Sequence, residues 1–327
     1  MKDLSIRGRV AIAAVATVLL AAAGAGYVQL ARDRAAASGA VPVTTEVTLD
    51  PGPRLLVSTG GRLAVVSRTD PSGPREVAGV ECARVYAAAG TGVCLQPDTA
   101  WSYRLIVLDS RLRVTRSFAI PGLPNRARVS ASGRMVAWTT FVGGDSYSTG
   151  GFSTRTGILD TRTGTQVMSL EDFTITRDGK PYRNIDVNYW GVTFTTDDST
   201  FYATMSTAGR RHLVQGDFTA RTVRTLTDNV ECPSLSPDGT RIAFKQAVDA
   251  DPQRGWRLSV LDLATMAVTH LAETRSVDDQ AAWLDDRTVA YTLRAADGAP
   301  SVWSVPADGA GAPTMLIADA ESPATLQ

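Results

Sequence analysis

Three pairs of adjacent aspartates, Asp197/Asp198, Asp278/Asp279 and Asp285/Asp286, are the residues whose types first suggest chemistry. Two carboxyls facing one cleft can hydrolyse a glycosidic bond, one as acid and the other as base or nucleophile. Two of the three pairs fall where the chain also signals a tight turn, and there Asp serves the backbone. Asp249-Ala-Asp251 offers calcium-type oxygens, but no twelve-residue loop with a closing Glu surrounds it. His212 and His270 are the two histidines and stand far apart, so a histidine zinc site is not expected and general bases are few. No Gly-x-Ser-x-Gly nucleophile elbow occurs. These residues favour a binding protein without metal or cofactor over an enzyme, and no catalytic residue is assigned.

The elements that carry these residues are short and apolar, and they recur. Glu231–Lys245 reads ECPSLSPDGTRIAFK: a Ser-Pro-Asp-Gly turn followed by a β-favouring run. Equivalent turns centre on Gly52, Gly90, Gly133, Asp198, Gly239 and Asp286, at spacings of 38, 43, 65, 41 and 47 residues. Self-similarity at such a period, built on strands, signals a β-propeller. Four strands fit each unit, with the Ser-Pro-Asp-Gly turn as the hairpin between the first and second. The reading is an all-β, six-bladed propeller of four-stranded antiparallel blades. The first unit lacks an inner strand, so the ring must be closed by a strand near Val43–Leu49 or by the tail after Pro313.

Ser236–Phe244 closely resembles the TolB-type, WD40-like propeller repeat, and the other copies match it loosely over about residues 45–327. In that family the resemblance implies a periplasmic scaffold that binds envelope proteins. Fold alone does not carry function, and this chain departs from the family's pattern. It leaves no room for TolB's separate N-terminal α/β domain and begins instead with an apolar segment.

Met1–Arg9 is short and basic, and Val10–Ala31 contains no charged residue, which is long enough to cross a bilayer as a helix. Two readings stay open: an uncleaved signal anchor, which the apolar run through Tyr27, Val28 and Leu30 favours, or a signal peptide cleaved near Ala23-Gly24-Ala25. The expected organisation is residues 1–9 in the cytoplasm, a transmembrane or signal helix at 10–31, a linker at 32–42 and the propeller at 43–327. The propeller then lies outside the cytoplasm, tethered to the membrane by its N-terminal helix or secreted. Without the first 39 residues, 28 basic residues face 31 acidic ones, so no nucleic-acid partner is expected.

Cys82 and Cys94 flank the turn at Gly90 and are a candidate disulfide on adjacent strands, with buried free thiols as the alternative. Cys232 reads as a small apolar residue. Strands in a blade alternate in direction, so loops between second and third strands share one face with the links between blades. The longest unit, the third, carries its excess on that face, at Val142–Arg155 and about Thr174–Asn188. The same face collects Trp101, Tyr103, Tyr147, Phe152, Tyr182 and Trp256, the candidate ligand-binding residues. Convergent loops bearing aromatics suit a protein, peptide or glycan partner. The principal expectation is therefore a membrane-tethered binding or scaffolding platform. The alternative is a propeller enzyme acting on a glycan or peptide at the channel mouth, which a dense cluster of acids and arginines there would favour. A sensor working through nine cytoplasmic residues ranks last.

Overall fold

In the computed structural model, which describes residues 46–99, 102–143 and 153–326, twenty-six strands form six sheets. β1 (Arg54–Thr59), β2 (Arg62–Ser67) and β3 (Glu76–Glu81) are the outer three strands of blade 1. Blade 2 runs β4 (Arg84–Ala88), β5 (Thr91–Thr99), β6 (Ser102–Leu108) and β7 (Val114–Ile120). Blade 3 runs β8 (Leu123–Val129), β9 (Met135–Val142), β10 (Ser153–Asp160) and the short β11 (Gln166–Val167). A hairpin, β12 (Thr174–Arg177) and β13 (Lys180–Tyr182), precedes blade 4: β14 (Asn188–Phe194), β15 (Thr200–Thr207), β16 (Arg210–Asp217) and β17 (Thr222–Asp228). Blade 5 is β18 (Glu231–Leu235), β19 (Arg241–Ala247), β20 (Trp256–Asp262) and β21 (Val268–His270). Blade 6 is β22 (Ala282–Asp285), β23 (Thr288–Arg294), β24 (Pro300–Pro306) and β25 (Thr314–Ala318).

The last strand, β26 (Glu321–Thr325), returns to blade 1 as its innermost strand, pairing Leu55 with Thr325 and Leu56 with Ala324. The C-terminal tail therefore closes the ring. Of the other candidate, Val43–Leu49, the described residues 46–49 form no strand, and Leu49 instead donates its N–H to the Ser110 carbonyl. Six apolar clusters follow the circle, one between each pair of neighbouring blades, and one of them joins blade 6 to blade 1 through Leu55, Val57, Ala290 and Ile317.

This sandwiching explains the strand sequences. A second strand has a blade on each side, so both of its faces are buried: β19 reads Arg-Ile-Ala-Phe-Lys with four consecutive buried residues. An outermost strand has water on most sides, and β7 and β21 are largely exposed. Where an aromatic ring crosses to the third strand, glycine makes room. Trp138 lies opposite Gly157, and a Cβ there would sit 2.2 Å from the indole.

Carboxylates fasten the turns. In the hairpin between β18 and β19, Asp238 accepts hydrogen bonds from the Ser236 hydroxyl and the Thr240 N–H, while Gly239 takes φ 73°. A second series stands at the end of the third strands. Asp109, Asp160, Asp217, Asp262 and Asp308 each accept a backbone N–H from two or three residues onward.

Three expectations are corrected. Thr174–Asn188 is not one long link: it contains β12 and β13, which extend blade 4 outward through a parallel pairing of β12 with β17. Asp178 and Gly179 both take positive φ, the geometry of a tight two-residue hairpin. Ser153–Arg155, read as loop, opens β10. Cys82 is bonded to Cys94, but not as a cross-strand pair about Gly90. Cys94 faces Val85, and Cys82 lies in the link before β4, so the bond ties the entry of blade 2 to its second strand. The N-terminal segment 10–31 lies outside the described residues. Among the described residues no helix is long and apolar enough to cross a membrane.

Candidate functional site

The first strands of the six blades begin on one face of the ring and line its axis. Side chains from every blade meet there around a cavity of about 680 Å³: Arg84 from blade 2, Arg126 from blade 3, Trp190 from blade 4, Glu231 from blade 5, Asp278 ahead of blade 6 and Glu321 from blade 1. This is the face of the second-to-third-strand loops and the inter-blade links, because Trp256 and Ser276 also reach the wall. Beneath the mouth the channel narrows to a void of about 30 Å³. Arg128 stacks on the Tyr86 ring at 4.3 Å and donates to the Ala281 carbonyl at 3.1 Å. Gln280 donates to the carbonyls of Val192 and Pro233, stitching blades 4 and 5. The mouth is thus a cup with a polar floor.

Ionic contacts organise its wall. Glu321 accepts from Arg84 at 2.7 Å and also from Arg294. Lys245 donates to Asp278, and the Arg126 guanidinium lies 3.6 Å from the same carboxylate. Glu231, buried, accepts from the Trp256 indole N–H at 3.3 Å, with Lys245 3.8 Å and Arg211 3.5 Å away. The Lys245 ammonium stands 4.1 Å over the Trp256 ring, a cation–π contact. The Asp279 carboxylate accepts the Thr292 N–H at 2.9 Å. Asp278 is 59% exposed, yet the channel walls shield it from bulk water. That shielding raises its pKa, and Lys245, Arg126 and Arg84 outweigh it, leaving the carboxyl below its ordinary range.

No protein-family model matches the chain, and no curated protein sequence matches it. Solved structures do match. TolB from Acinetobacter baumannii superposes with a TM-score of 0.59 at 18% identity, covering 84% of this chain and 67% of that one. A nidogen/laminin complex superposes with a TM-score of 0.52 at 12% identity, over 78% of this chain and 90% of that one. The putative TolB from Agrobacterium tumefaciens gives 0.50 at 12% identity, over 81% and 88%. The fold is that of a TolB-type propeller.

On this TolB-type propeller the aromatic candidates scatter. Trp256 belongs to the mouth. Tyr103 lies in β6, half-buried against the core between blades 2 and 3. Tyr182 packs against the core between blades 3 and 4, with Arg177 over its ring at 5.1 Å and its hydroxyl hydrogen-bonded to Thr207. Trp101, Tyr147 and Phe152 lie outside the described residues. Trp190, in β14, lines the mouth, while its neighbour Tyr189 is core.

The carboxylate pairs divide as well. Asp197 caps the turn before β15 through Ser199 and Thr200, and Asp285 caps the turn before β23 through Arg287. Asp278/Asp279 is the pair at the mouth. Asp251 caps the Gln253 N–H and Asp249 pairs with Arg254, so the suspected calcium oxygens are engaged within their own loop. Among the described residues no three His, Cys, Asp or Glu side chains converge as metal ligands do.

Proposed function

We propose that this chain is a binding platform held outside the cytoplasm, tethered by or released from its 10–31 segment, whose channel mouth receives part of a protein partner. The observation carrying the reading is convergence: all six blades send side chains to one open cup, and three aromatic residues, Phe141, Trp190 and Trp256, stand among its ionic groups. Broad-rimmed cups with mixed aromatic and cationic walls suit protein segments. The enzyme reading has its own support, since acids and arginines do crowd one end of the channel. It ranks second because a general acid needs a raised pKa, and Asp278 moves the other way.

Two measurements test the platform. A reporter active only outside the cytoplasm, fused after residue 40, is expected to be active; a silent fusion overturns the location. Photo-crosslinking side chains placed in the full chain at Trp190, or in the opposite-face hairpin at Thr240, are expected to give partner adducts only from Trp190. Adducts from Thr240 alone overturn the face.

A further inference from the structure

The mouth is more cationic than its carboxylates can balance. Among the described residues its wall holds five cations, Arg84, Arg126, Arg211, Lys245 and Arg294, against four carboxylates, and Arg128 adds a sixth cation below. Every carboxylate is already engaged: Glu321 by two arginines, Asp278 by Lys245 and Arg126, Asp279 by a backbone N–H, and Glu231 by the Trp256 indole.

Arg211 is the cation held most loosely, by an ion pair to Glu231 alone. Its Nε faces Glu231 at 3.5 Å without forming a hydrogen bond, and its two terminal nitrogens have no hydrogen-bond partner among the described residues. The side chain is 29% exposed at the cup wall. A guanidinium held along one edge, with its fork open, is the geometry that accepts a carboxylate in two parallel bonds. Beside it stand Trp190 and Trp256, and the rim continues into Phe141, with Leu123 as its cross-strand partner at 60% exposure.

We propose that the mouth takes an extended peptide segment that is both acidic and apolar, with one carboxylate seated on the Arg211 fork and an apolar side chain against Leu123 and Phe141. The inference rests on the reading of the mouth as the binding face and adds the chemistry of what enters. Charge complementarity selects the acid. The exposed Leu123 side chain selects a peptide over an acidic glycan, which has no aliphatic group to cover it.

The probe is a short dye-labelled peptide alternating leucine and glutamate, titrated onto the full chain in detergent. Its counterparts are the same peptide with glutamine for glutamate, and an alginate oligomer. The glutamate peptide is expected to bind at least about tenfold more tightly than the glutamine peptide, and to weaken as salt rises. Arg211→Gln is expected to remove that preference, and Arg211→Lys to restore it only in part, because an ammonium lacks the fork. The wild-type comparison of the two peptides needs no variant, so it stands even if a substitution impairs folding. Equal binding of the two peptides, an unchanged preference in Arg211→Gln, or binding of the alginate alone overturns the inference. With adducts still forming from Trp190, those results leave the mouth as the binding face. Adducts from Thr240 alone remove that reading itself.

Discussion

A chain ending at Asp319 is expected to lose its cooperative thermal transition. The missing residues include β26, the innermost strand of blade 1, whose removal strips β1 of its inner partner. Ala320, Ala324 and Leu326 are essentially fully buried, and Leu326 exchanges backbone hydrogen bonds with Gly52 and Arg54. Glu321 leaves too, freeing Arg84 and Arg294 in the cup. Each buried aliphatic side chain contributes about 1–3 kcal/mol, and an unpaired strand edge at the channel adds its own cost. The total approaches the whole margin of a typical domain, roughly 5–15 kcal/mol. Leu326→Ala is the graded version: a loss of about 2–4 kcal/mol with the fold retained. Near-ultraviolet circular dichroism and calorimetry read both. A truncated chain that melts like the full one would show that the ring does not depend on its closing strand.

The closing strand was legible only as one of two choices, because Glu-Ser-Pro-Ala-Thr has neither alternation nor β-branched density. Its strand character comes from its place beside β1, not from its own residues. The turn before β19 was legible because Ser236, Asp238 and Gly239 act on their own backbone, and local chemistry is readable locally. The Asp178-Gly179 hairpin carried the same kind of signal, but the excess length of its unit drew the segment into a loop reading. The series Asp109, Asp160, Asp217, Asp262 and Asp308 also passed unread, although Leu-Asp recurs in the sequence at three of these positions.

The cup was hidden for a different reason. Arg84, Arg126, Glu231, Asp278 and Glu321 lie far apart in sequence, and no spacing links them. What joins them is position: each lies within a few residues of the start of a first strand, and first strands start at the axis. A charged residue at the entry of strand after strand was the available signal. The aromatics on long loops lead to the face of the cup through Trp256, yet the same set includes Tyr103 and Tyr182, which sit in strands with packing roles.

Asp160→Ala is expected to destabilise the fold by about 2–4 kcal/mol and to change its response to acid. The carboxylate is buried at the end of β10. Arg134 grips it through Nε at 3.0 Å and through a terminal nitrogen, and the N–H groups of Arg162 and Thr163 bond to it as well. Removing one partner of a buried pair costs about 3–5 kcal/mol. Arg134 is 28% exposed and can rehydrate, which lowers the figure. The hydrogen bonds from Arg134 depress the Asp160 pKa far below the carboxylate range; burial opposes them, and Thr163 and Arg162 add to them. A depressed folded-state pKa means that the stabilisation is present above the unfolded value, roughly 3.9, and is lost as pH falls towards the folded one. Burial pushes Asp197 upward, but bonds from Thr200, Thr195 and Ser199 hold it at about 2; Asp238 is held at about 2 by Ser236 and Thr240. The wild-type melting temperature is therefore expected to stay level above about pH 5 and to fall steeply below about pH 4. Asp160→Ala should melt lower at neutral pH and fall less steeply in acid, since one of the groups that take up protons on unfolding is gone. Melting curves of both proteins between neutrality and strong acid decide it. Parallel curves would mean that Asp160 is not the charge that the Arg134 grip implies.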